Sequence, residues 1–93
     1  MGQKRNASEL VEIGNRLKVA RLALGLSQKE VCEAIGVKVP AWSHWENGRR
    51  IPDPMAMKNL YLLHGVTMEW IYAGDPKRLP FEVYRRIKEE EGE

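Results

Sequence analysis

The chain has 93 residues, 43% of them hydrophobic and 30% charged, and a net charge of +2. That length suits one small domain with a compact, local core. It offers no apolar run near the roughly 18–20 residues of a membrane span, no signal peptide behind the polar start MGQKRNASEL, and only one cysteine, which excludes an internal disulfide and a cysteine-based zinc cluster.

These exclusions point to a cytoplasmic protein. The charge is uneven: Met1 to Pro52 carries nine Lys or Arg against five Glu, a balance of +4, and Asp53 to Glu93 carries six against eight acids, a balance of −2. A basic half favours a polyanionic partner, although ordinary solvated faces explain so small a charge equally well.

Residues 1–7 are polar and read as a disordered N-terminus. Ser8 is placed to cap a first helix reaching about Leu24, with Leu10, Ile13, Leu17, Ala20 and Leu24 spaced three and four apart. Gly25 stops it. Ser27 and Glu30 form a capping box, Ser-x-x-Glu, for a second helix that ends at Gly36. Val37 is the apolar residue of the following turn. Pro40 sets the start of a third helix, since proline is tolerated only where a first-turn N–H has no intrahelical partner. That helix runs to Asn47-Gly48, and Arg49 to Pro52 form an extended elbow.

Asp53-Pro54 opens a fourth helix to about His64, with Met57, Leu60, Tyr61 and Leu63 or His64 as its inner face. Thr67 caps a short fifth helix, MEWIYA, closed by Gly74. Asp75 to Pro80 is a loop, and FEVYRRIKEEE, with Phe81, Tyr84 and Ile87 three apart, makes a short C-terminal helix. No period-two pattern persists, so the expected fold is all-α: residues 8–74 form the main domain and residues 75–93 a loop and helical extension with an acidic tail.

The stretch SQKEVCEAIGVKVPAWSHWENGRR, Ser27 to Arg50, says most about function. Two helices that cross closely need a small facing residue, and Cys32 supplies one. A sharp turn needs Gly36. The pair must be anchored to a core, which Val31, Ile35, Val37, Trp42 and Trp45 provide. All these demands are met at the spacing of a helix-turn-helix, whose second helix enters the major groove of DNA.

With these motifs in view, residues 13–74 resemble the lambda-repressor-like, Cro/Xre-type helix-turn-helix regulators. "LGLSQKEVCEAIGV", "WENGRR" and "GVTMEWIYAG" are close to that family's pattern, and "WIYAGDPKRLP" resembles a subgroup found with phage-like and mobile-element genes. The resemblance implies a five-helix DNA-binding domain that acts as a homodimer on a palindromic operator. It places Lys38, Val39, Pro40, Ser43 and His44 at positions that face base edges. It places Gln28, Asn47, Arg49 and Arg50 beside the DNA backbone, and Arg16 and Arg21 are candidates to extend that phosphate track.

The chain departs from the pattern at Val39 and Pro40, where many members are polar. Neither donates a side-chain hydrogen bond to a base, and both, with Ala41, offer apolar contact to a thymine methyl. Direct readout then rests on Lys38, Ser43 and His44, with DNA shape and phosphate contacts carrying more of the specificity.

Each residue also has a plainer reading. Trp42 and Trp45 are core residues before they are stacking platforms. Cys32 is a small buried residue before it is a redox switch. His64 suits packing or the end of a helix dipole. Ser43-His44 point in different directions on one helix and make no catalytic pair; no enzyme constellation, cofactor motif or metal-ligand spacing is present. The acidic tail is either a frayed end or a stripe packing on the domain or on a second subunit; Tyr61, Trp70 and Tyr72 on helices four and five offer another dimer surface. The expected function is transcriptional regulation, most simply repression, with double-stranded DNA, a second copy of the chain and RNA polymerase or another regulator as partners. The alternative is a protein-binding adaptor, an antiactivator or antitoxin-like partner, that reuses the fold.

Overall fold

The computed structural model describes residues 7–92. Six helices follow one another: α1 Ala7–Ala23, α2 Gln28–Ile35, α3 Val39–Glu46, α4 Pro54–His64, α5 Met68–Ala73 and α6 Phe81–Glu90. There is no strand among the described residues. The expected disorder of Met1 to Asn6 lies outside them. Ala7 is already helical, so Ser8 sits inside the first turn of α1 instead of capping it.

The other ends follow local chemistry. Ser27 and Glu30 form both halves of the capping box: Ser27 Oγ accepts from the Glu30 amide at 3.0 Å, and Glu30 Oε1 accepts from the Ser27 amide at 2.8 Å. Asp53 caps α4 through the Ala56 amide, and Thr67 caps α5 through the Trp70 amide. Such caps satisfy amides that have no partner inside the helix, at about 0.5–2 kcal/mol each. Gly36 closes α2 at φ 79°, a left-handed conformation that costs other residues roughly 1–2 kcal/mol.

Helix α1 is the central strut, packing against α3, α5 and α6; α2 packs on α3 and α4. Ile13, Leu17 and Ala20 form the buried stripe of α1, together with Val31, Cys32 and Ile35 of α2, Trp42 and Trp45 of α3, and Met57 and Leu60 of α4. Each large apolar side chain buried in this way contributes about 1.5–3 kcal/mol. Leu10 and Leu24, at the ends of the expected stripe, are only half-buried.

Gly14 explains how close α1 and α3 come. A Cβ there would lie 2.4 Å from the Trp45 carbonyl oxygen and 2.7 Å from that of Glu46. Only glycine lets the last turn of α3 rest on α1.

Two inner faces differ from expectation. In α4 the inner face is Ala56, Met57 and Leu60, whereas Tyr61 and Leu63 stay exposed, because the helix meets the core along a narrower arc than its apolar content offers. In α6 the packed residues are Ile87 and Val83. Phe81 is 76% exposed and Tyr84 is exposed as well. The extension thus lies on its own domain, against α1, while Arg85 bridges Glu82 and Glu89 on its outer side.

Candidate nucleic-acid interface

Helix α3 turns 100° per residue, so positions 39, 40, 43, 44 and 47 share one arc and 42, 45 and 46 the other. The structure buries the second arc: Trp42 is 0% exposed, Trp45 6% and Glu46 8%. The two indoles pack at a centroid separation of 5.9 Å with their planes tilted by 56°. They are core residues, and stacking of single-stranded bases on them is ruled out by their burial.

Glu46 is the feature that sequence reading passed over. Its carboxylate accepts from Arg21 Nε at 2.6 Å, from Arg21 Nη2 at 3.3 Å, from Trp42 Nε1 at 2.5 Å and from Gln28 Nε2 at 3.0 Å. One buried side chain thereby ties α1, α2 and α3 together. Burial pushes its pKa up, but the hydrogen bonds from Arg21, Trp42 and Gln28 and the Arg21 charge outweigh that and hold it below the ordinary carboxylate value. The one sequence signal was a glutamate four residues after a core tryptophan, which places both on the inner arc.

Two of the expected phosphate ligands, Arg21 in this network and Arg16 apart from it, have donors engaged within the fold. Arg21 is largely buried, and its donors go to Glu46 and to the Leu26 carbonyl at 2.9 Å. Arg16 donates to the Ile71 carbonyl at 2.9 Å and to that of Tyr72 at 3.5 Å, joining α1 to α5. Both arginines act inside the fold, because burial of a guanidinium demands partners for its N–H groups. Gln28 is half-buried. One N–H of its amide is held by Glu46, and an amide group carries two.

The outer arc of α3 is open. Lys38, at the N-cap, is exposed and makes no side-chain capping bond. Val39 and Pro40 are exposed, and Ser43 and His44 are half-buried. Asn47 is exposed and donates from Nδ2 to Ser43 Oγ at 3.3 Å. Ala41 lies off this arc, partly buried against the core; its angular position turns it away from the face that Val39 and Pro40 form. Arg49 and Arg50 are exposed and have no ion-pair partner among the described residues.

The elbow that carries those arginines is fixed from below. Pro52 is fully buried, and Tyr72 Oη donates to its carbonyl at 2.7 Å. Burial, and then the Asp53 charge, push the Tyr72 hydroxyl up to about 12, so it remains a donor at any ordinary pH. Tyr72 is therefore a brace, and Trp70, 5% exposed, is core; of the three aromatic residues suggested for a dimer surface, only Tyr61 is exposed. Cys32 is buried, and burial, then the Glu46 charge, push its thiol up, which keeps it protonated and unreactive.

A family model described as a helix-turn-helix domain matches residues 12–69, more than half of the chain. Neither the curated proteins nor the solved structures give a match. No helix of the described residues is long and apolar enough to cross a membrane.

Proposed function

Because the chain belongs to the helix-turn-helix domain family, we propose that it is a sequence-specific DNA-binding transcriptional regulator of the Cro/Xre type, acting as a repressor on a palindromic operator. The observation that carries this reading is the division of α3. Its inner arc is held by a buried network, and its outer arc, continuous with Lys38, Arg49 and Arg50, is solvent-facing.

In this reading α3 lies in the major groove. Lys38 reaches guanine O6 or N7, His44 and Ser43 bond base acceptors, and Val39 and Pro40 contact thymine methyls. Arg49, Arg50, Asn47 and the second Gln28 N–H hold phosphates and fix the register. Two copies place their α3 helices one helical turn apart, about 34 Å, or a multiple of it.

The experiment is selection of bound duplexes from a random pool, followed by mobility shift over a range of salt. A two-fold-symmetric motif with a steep salt dependence is the expected result. The exposed Val39-Pro40 edge favours one second reading, a protein-binding adaptor. Absence of any shifted duplex at low salt would favour that adaptor and remove the DNA reading.

A further inference from the structure

The elbow between α3 and α4 is pinned at both ends and bare in between. At its start, Gly48 takes φ 73° and lies so close on α1 that a Cβ would sit 2.9 Å from Val11 Cγ2 and 3.1 Å from Val11 Cα. The Arg49 amide donates to the His44 carbonyl at 2.9 Å. At its end, Pro52 is fully buried. Arg49, Arg50 and Ile51 lie between these points and are exposed. Among the described residues, no backbone–backbone hydrogen bond reaches Arg50, Ile51 or Pro52. The hydrogen bond that holds this backbone comes from a side chain: Tyr72 Oη donates to the Pro52 carbonyl at 2.7 Å.

Tyr72 is itself held in place. It follows the buried Trp70 and Ile71 on α5. Arg16 of α1 donates to the Ile71 carbonyl at 2.9 Å and to the Tyr72 carbonyl at 3.5 Å. The support thus runs from the central helix through α5 to the elbow. Tyr72 lies past residue 69, where the family match ends, so this hold comes from outside the matched segment.

We propose that Tyr72 is a positioning residue for DNA binding: its hydroxyl keeps the elbow in the shape that lets Arg49 and Arg50 meet the DNA backbone, so it sets affinity and leaves base preference alone. The proposal deepens the DNA reading above and rests on it. A segment without backbone hydrogen bonds adopts many shapes unless something fixes it, and ordering it on binding costs affinity. A brace that removes this cost raises affinity for every duplex alike, because phosphate contacts carry no sequence information.

The test is Tyr72→Phe in the full chain, which removes the hydroxyl and keeps the ring, with Tyr61→Phe as the exposed control. Amide order parameters of residues 49–51 in the free protein should fall from about 0.85 to below about 0.6. Affinity for selected and for random duplexes should fall about three- to tenfold, with the selected motif unchanged. In an Arg49→Ala/Arg50→Ala background, read at low salt, the same substitution should change affinity by less than about twofold, since no arginine is left to position. A loss through general destabilisation would persist there. Tyr61→Phe should match wild type in every measurement. A Tyr72→Phe variant that binds like wild type, or that loses as much without the two arginines, overturns the positioning role. A wild type that binds no selected duplex overturns the DNA reading itself, and the role falls with it. The two failures are distinguishable, because the first requires a wild type that binds.

Discussion

The two arcs of α3 differ in kind: one is packed into the fold and the other is open to solvent. On the inner arc, Trp42, Trp45 and Glu46 are packed or hydrogen-bonded on every side. On the outer arc, Val39, Pro40 and His44 make no hydrogen bond through their side chains to any described residue. Changes to the first arc should be read in stability, and changes to the second in binding.

The strongest way to break this division is Glu46→Ala. It removes the acceptor of three helices and leaves the Arg21 guanidinium buried without its ion partner, at a cost of about 3–5 kcal/mol. Urea unfolding measures it; a loss below 1 kcal/mol would mean that the network is not what holds α3. The wild type tests the same group by pH. The folded pKa of Glu46 is lowered, so its contribution is fully present above the ordinary unfolded carboxylate value, about 4.3, and fades as pH falls through the lowered folded value. Glu46→Gln should flatten that acid limb.

Gly14→Ala comes next. The added methyl meets backbone carbonyls, which cannot rotate aside as a side chain can. The expected loss is about 1–3 kcal/mol despite the better helix propensity of alanine. A stabilised variant would show that α1 and α3 are free to move apart.

Changes on the outer arc should leave unfolding within about 0.5 kcal/mol of wild type. Lys38→Ala and His44→Ala are each expected to shift base preference at one position per half-site, by about 1–3 kcal/mol of discrimination. Identical selected motifs for wild type and both variants would assign readout to shape instead. Arg49→Ala has the smallest expected effect: binding weakens across all sequences, and the salt slope falls by roughly one unit. An unchanged slope would place Arg49 outside the interface.

Apart from the start of α1, where Ser8 is inside the helix, helix boundaries were legible because each depends on residues a few positions apart. The Ser27–Glu30 box, Gly36, the Asp53-Pro54 start and the Thr67 cap are all local. The main candidate face on α3 was legible for the same reason, since the period of a helix assigns Trp42 and Trp45 inward and Val39, Ser43 and His44 away from them. Where apolar residues exceeded the space available, the pattern misled. Helix α4 carries more of them than its packed arc accepts, and in α6 the spacing of Phe81, Tyr84 and Ile87 concealed that Val83 and Ile87 are the residues that pack on the core.

The sequence by itself determined an all-α chain with its turns, its caps and a helix-turn-helix between Ser27 and Arg50. Only the tertiary structure decided which polar residues belong to the fold. Arg21 meets Glu46 across 25 positions, Gln28 meets it across 18, and Arg16 meets Ile71 across 55. Periodicity identifies a face but not the partner that face will meet, and a charged side chain that looks free along the chain becomes structural once packing removes its water.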